Sequence, residues 1–149
     1  MARVLHLFRA PKRRAPMEEL TSAEAVKDAG LQGCAHARPG NRQVLLVDAE
    51  TLGVFQLQPG ITRENITTEG LDVNELPIGQ RLRLGEVEME VSGVCDPCEQ
   101  IEALRPKLQA AMQGRRGMFC RVLTGGTLQR GDAIELQEKA LAAENSDAN

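Results

Sequence analysis

Two alternating apolar runs that change phase at Gly85-Glu86 constrain this chain more than any other stretch. Leu82 and Leu84 alternate with Arg81 and Arg83; beyond the turn, Val87, Met89 and Val91 alternate with Glu86, Glu88 and Glu90. A period of two places the apolar side chains on one face of an extended chain, and a two-residue turn opening on Gly lets the chain double back. The pattern predicts a β-hairpin with one face turned to a core.

Glycine and proline punctuate the rest in the same way. Arg3 to Arg9 alternates loosely and predicts a first strand, followed by a basic loop, Ala10 to Pro16, expected to be a solvated turn. The run Val44-Leu45-Leu46-Val47 predicts a buried strand over Gln43 to Asp48, then a short helix from Ala49 to Leu57 stopped by Pro59-Gly60. Ile61 to Thr68 sets β-branched residues around a charged and amide cluster and reads as a strand with Arg63 and Asn65 on one face. Thr21 and Glu24 have capping-box spacing ahead of Gly30, which predicts a short helix. Ile101, Leu104, Leu108 and Met112 recur at helical spacing, with Pro106 dividing the pattern into two short turns. Met118 to Leu123 and Ala133 to Leu136 read as strands, with turns at Leu76 to Gly79, Gly125-Gly126 and Gly131-Asp132. No repeat is present. The expectation is a mixed α/β, mostly β fold: a small β-barrel with short helical insertions over residues 1–137, then a polar, flexible tail at 138–149.

Composition limits the function classes. The chain has 149 residues, 42% of them hydrophobic, enough for one core. Phe8, Phe55 and Phe119 are its only aromatic residues, so bases have little to stack on, and the net charge of −3 argues against general phosphate-backbone binding. No nucleic-acid partner is expected. No run approaches the roughly 18 apolar residues of a membrane span, and the charges after Val4 to Phe8 lie on the wrong side for a signal peptide. Four cysteines without an export signal point to a reducing cytoplasm. Fourteen of the 18 basic residues are Arg, the side chain suited to planar recognition of phosphate or carboxylate.

The chemistry concentrates in two stretches. In Cys95-Asp96-Pro97-Cys98, Pro97 fixes its own φ and keeps Asp96 extended, so Cys98 opens the following helix, where free N–H groups favour a thiolate. Cys98 is thus a candidate nucleophile, sulfur carrier or metal ligand, and the most acidic thiol expected. Cys95 is its candidate resolving partner, and Cys120, in an apolar strand, a core residue. The second stretch, Gly30 to Arg42, is a glycine-punctuated loop carrying Cys34, His36, Arg38 and Arg42, a combination typical of site loops.

The succession Gly33-x-x-His36, Arg42-Gln43-Val44, Pro59-Gly60, Glu64-Asn65-Ile66, Leu76-Pro77-Ile78-Gly79, Arg83-Leu84-Gly85, Pro97-Cys98, Arg116-Gly117 and Gly131-Asp132 resembles the MOSC domain, the C-terminal domain of molybdenum-cofactor sulfurases. The match runs from about residue 3 to residue 137. The resemblance implies a mixed α/β β-barrel, and a sulfur carried as a persulfide on Cys98 or a molybdenum-pterin cofactor bound through it, with Cys98 ligating molybdenum in reductase-like members. It brings His36, Arg42, Arg63 and Asn65 forward as cofactor-binding residues, the two arginines as holders of a pterin phosphate. One position departs: the family usually has Gly-Asp-x-His where this chain has Gly33-Cys34-Ala35-His36, so a thiol replaces a carboxylate.

The chain is expected to be a bare domain, without the desulfurase part of the large sulfurases or the extra N-terminal domain of the larger reductases. The resemblance therefore implies a partner, either a PLP-dependent cysteine desulfurase or a molybdoenzyme or electron-transfer protein. Two alternatives stand beside the sulfur or cofactor role: a molybdenum-dependent reductase of N-hydroxylated compounds, and a binding module stabilised by zinc on Cys34, His36, Cys95 and Cys98. No tightly bound zinc is expected, because a domain of this length has core enough without it.

Overall fold

In the computed structural model, which describes residues 1–137, the apolar run β5 (Val44–Asp48) lies at the centre of the sheet with all five residues buried. Its alternate side chains feed two clusters on opposite faces: Val44 and Leu46 join the main core, whereas Leu45 and Val47 pack with Leu52 and Cys95. Full burial of each such side chain contributes about 1.5–3 kcal/mol. β5 pairs in parallel with β6 (Ile66–Glu69) and antiparallel with β9 (Met118–Thr124).

From β9 the sheet continues through β8 (Val87–Val94) and β7 (Arg81–Leu84) to β11 (Ile134–Gln137); from β6 it continues through β1 (Arg3–Arg9) to β2 (Glu18–Leu20). The hairpin read from the alternation is present. Leu84 pairs with Val87 across Gly85-Glu86, and Leu82, Leu84, Val87, Met89 and Val91 all enter the main core. Its charged face is tied across strands by Arg83 to Glu88 at 3.7 Å and Arg121 to Glu90 at 3.1 Å. A second sheet joins β10 (Gly126–Gln129), β3 (Ser22–Val26) and β4 (Gly30–Leu31). The helices are short: α1 (Ala49–Val54), capped by Asp48 on the Thr51 N–H, then α2 (Glu99–Glu102) and α3 (Leu108–Ala111), separated at Pro106 as expected.

Three expectations need correction. The eight strands do not close into a barrel, because β2 takes Leu7–Arg9 of the free edge of β1. Only the start of β1 meets the far end of the sheet, by an isolated Arg3–Ala133 bridge with Val4 N–H on the Asp132 carbonyl and Ile134 N–H on that of Ala2. The helix predicted after Thr21 is strand β3. Glu24 does not cap a helix; it accepts the Thr127 hydroxyl of β10 at 3.0 Å, and only Ala25 of the segment is fully buried. The strand predicted over Ile61 to Thr68 begins at Ile66, because Gly60 to Asn65 wraps around the Glu64 carboxylate. That fully buried carboxylate accepts the Gly60 N–H at 2.7 Å and the hydroxyls of Thr62 and Thr67 at 2.6 and 2.8 Å. The 138–149 tail expectation lies outside the described residues. Among the described residues no helix is long and apolar enough to cross a membrane.

Candidate functional site

The strand ends β8 and β9 deliver the thiol and a guanidinium to one place. Cys95 N–H donates to the Gly117 carbonyl at 3.1 Å, and the Gly117 N–H is held by the Asn74 side chain at 3.0 Å. Gly117 has φ +118°, and a Cβ there would stand 2.6 Å from the Leu46 carbonyl, so only glycine lets β9 approach β5 this closely. The buried Pro97, its carbonyl held by Gln109 Nε2 at 3.3 Å, then turns the chain so that Cys98 becomes the N-cap of α2. Cys98 is the one exposed cysteine among four free thiols. The helix dipole expected to act on it is slight: α2 is a single turn of four residues and carries Glu99 and Glu102. Exposure, more than dipole, sets Cys98 apart.

Cys98 opens onto a cavity of about 390 Å³ lined by His36, Arg42, Arg63 and Asn65, the residues singled out from the sequence. Four further arginines join them: Arg13 and Arg14 from the loop expected to be a solvated turn, Arg38, and Arg116. The one acidic residue lining this cavity is Asp96. Among the described residues, Arg3, Arg9, Arg83, Arg121 and Arg130 form ion pairs with carboxylates, and none of the six cavity arginines does. A chain of net charge −3 has therefore gathered unneutralised positive charge in one recess.

Two of these arginines are held from behind. Arg116, 5% exposed, spends Nη2 on the Thr62 carbonyl at 2.7 Å and leaves Nε and Nη1 without a partner. Arg63 donates Nη1 to the Ala15 carbonyl at 2.7 Å and leaves Nη2 without one; its backbone sits at φ +64°, a left-handed conformation imposed by the turn around Glu64. Buried N–H groups left in this state are costly unless a ligand or an ordered water accepts them. Arg42 lies over the Phe119 ring, 4.7 Å from its centroid.

Asn65 is fully committed to protein. Its Oδ1 accepts the Leu45 N–H at 3.0 Å, and its Nδ2 donates to the Phe8 carbonyl at 3.2 Å and to Cys34 Sγ at 3.5 Å. It ties β1, β5 and the site loop into one unit. Cys34, buried at the start of that loop, also accepts the Ala10 N–H at 3.5 Å. Burial pushes its thiol up, but donors from the His36 side chain, Ala10, the His36 backbone and Asn65 outweigh it together and draw the thiol down to about 7. Burial pushes the Cys95 thiol up, against the pull of Arg116 and Arg42, and pushes Cys120 to about 12 with help from Glu90. The thiol drawn toward neutral pH is thus Cys34, whose donors come from three separate chain segments that sequence spacing does not bring together.

Among the described residues no three His, Cys, Asp or Glu side chains converge as a metal site, so the zinc arrangement of Cys34, His36, Cys95 and Cys98 is not formed. Arg116 was visible in the sequence only as the partner of Gly117. The signal that would have marked it is the arginine preceding a glycine that must touch the central strand.

The site is a single exposed thiol in an arginine-lined recess of a mostly β domain. The MOSC domain family matches residues 36–135, and the chain belongs to that family. The YuaD protein of Bacillus subtilis superposes with TM-score 0.77 at 21% identity, covering 91% of this chain and 94% of that one. YiiM from Geobacillus stearothermophilus gives 0.79 at 18% identity over 96% and 78%, and YiiM from Escherichia coli 0.68 at 18% over 90% and 70%. At these identities the likeness is one of fold. No curated protein matches the sequence.

Proposed function

We propose that this MOSC domain holds an anionic molybdenum-pterin cofactor, or the sulfur destined for one, with Cys98 as the reacting thiol. The observation that carries the reading is the set of six unpaired arginines around the one exposed cysteine. The donor set suits such a group: Arg63 and Arg116 offer buried N–H groups with no protein acceptor, Arg42 and His36 line the same cavity from another loop, and Cys98 supplies one soft thiolate of the kind that binds molybdenum or sulfur. When bound, the cofactor would supply two-electron redox chemistry at its metal. The protein's own part is to neutralise the ligand's charge, orient it through Arg63, Arg116 and Arg42, and present Cys98.

As a sulfur carrier, the Cys98 thiolate would attack the outer sulfur of a persulfide on a PLP-dependent cysteine desulfurase. The donor's S–S bond breaks, its cysteine leaves as a thiolate, and a persulfide remains on Cys98 with no net oxidation. A cytoplasmic setting and a desulfurase, molybdoenzyme or electron-transfer partner belong to this proposal. A reductase acting on N-hydroxylated compounds would use the same cavity with an electron donor.

The test is elemental analysis and intact-mass measurement of protein purified from its own cell, before and after incubation with a desulfurase and cysteine. Molybdenum, or a mass gain of one sulfur confined to the Cys98 peptide and absent from Cys98→Ser, supports the proposal. A wild-type protein that takes up neither overturns it.

A further inference from the structure

Beside the basic cavity lies a second, larger recess of about 800 Å³, whose walls include Phe8, Met17, Ile61 and Leu104. It shares Arg14, Arg63, Gln100 and Arg116 with the basic cavity, so the two recesses meet along a wall made of guanidiniums and one amide. Ile61 and Leu104 are 44% and 38% exposed, an apolar surface left open next to charge. Glu99 is its one acidic lining residue.

The wall itself points to a ligand. Arg116 is 95% buried by its 5% exposure, yet two of its N–H positions lack partners, as does Nη2 of Arg63. The strained φ of Arg63 is maintained by a turn built on a buried carboxylate, and the guanidinium is tied to the Ala15 carbonyl. Positive charge at one end and open apolar surface at the other are complementary to a molecule of the same two-part character.

We propose that the apolar recess is a separate substrate subsite for a small amphipathic organic acid, its hydrocarbon or aromatic body lying on Ile61 and Leu104 and its anionic end meeting Arg63 and Arg116. The inference rests on the reading of the basic cavity as the cofactor or sulfur site, because the shared wall would bring such a substrate alongside Cys98. A ligand held there would share Arg63 and Arg116 with whatever the basic cavity holds.

Calorimetric titration of the full chain with 2-naphthoate, 2-naphthylmethanol and inorganic pyrophosphate tests this. One naphthoate should bind per chain, about tenfold tighter than the neutral alcohol, and Leu104→Asp and Ile61→Asp, both at exposed positions, should each weaken it about tenfold. Pyrophosphate, a probe of the guanidiniums without the apolar surface, should bind equally to wild type and to both variants. Equal affinity for acid and alcohol, no response to either substitution, or no naphthoate binding by a protein that binds pyrophosphate would each overturn the inference. Naphthoate binding as described without any pyrophosphate binding would uphold the subsite and refute instead the anionic-ligand reading of the basic cavity.

Discussion

Replacing Cys34 by Ala removes a buried anion acceptor, and the consequence is a stability difference that depends on pH. The unfolded thiol has an ordinary value of 9.0 and the folded one is drawn to about 7. A folded value below the unfolded one means that the thiolate's contribution is fully present above about pH 9. It is lost as the pH falls through about 7. Two pH units at about 1.4 kcal/mol each bound the effect near 3 kcal/mol, and screening by solvent in the adjoining recess leaves about 1–2 kcal/mol. The assay is urea unfolding of wild type and Cys34→Ala from pH 6 to 9.5, followed by circular dichroism because the chain has no Trp or Tyr. The loss of packing on substitution is the same at every pH, so it offsets the two curves without changing their divergence. The wild-type advantage should grow by about 1–2 kcal/mol across that range. A difference that stays flat, or that grows toward acid, would refute the assignment of Cys34 as a stabilised thiolate.

Cys34→Asp keeps an anion for the same donors and should retain at about pH 9 the stability that Cys34→Ala loses there, by the same unfolding assay. A limiting amount of iodoacetamide should label Cys98 before the three buried cysteines, read by peptide mass mapping, because access governs the rate. Asn65→Leu strands the Leu45 N–H and the Phe8 carbonyl in the interior and should cost about 2–4 kcal/mol in urea unfolding. Gly117→Ala forces a Cβ toward the Leu46 carbonyl at positive φ and should cost about 2 kcal/mol or more by the same measurement.

Period-two alternation survived folding because it reports a local fact, which face of a strand meets the core. The hairpin around Gly85, the buried run at Val44 and the strand from Met118 were legible for that reason. The segment after Thr21 was not, since Ser22 to Val26 has too little apolar contrast to distinguish strand from helix, and its pairing partner Gly126–Gln129 is more than a hundred residues away. Barrel closure depends on which strand occupies each half of the β1 edge, a competition that no single stretch records.

The site was legible to the extent that its residues carry unusual chemistry. Cys98, His36, Arg42, Arg63 and Asn65 do line one recess, although Arg63 and Asn65 reach it from a turn and not from the expected strand. Arg13 and Arg14 escaped notice because a basic loop between prolines looks the same whether it faces solvent or a cavity. Cys34 was named in the site loop, but its acidity was not legible because that comes from Ala10, His36 and Asn65 meeting in space, while the placement argument for Cys98 relied on a helix that proved to be one turn long.

In the proposed function the arginine-lined recess binds an anionic ligand against Cys98. Titration of metal-free protein with molybdenum cofactor released from a donor protein, followed by gel filtration and molybdenum analysis, tests it most directly. Wild type should retain one molybdenum per chain, Arg116→Gln should bind about tenfold more weakly through loss of a buried charge, and Cys98→Ser should fail to retain the metal while remaining folded. Retention by Cys98→Ser and Arg116→Gln equal to that of the wild type would contradict the account.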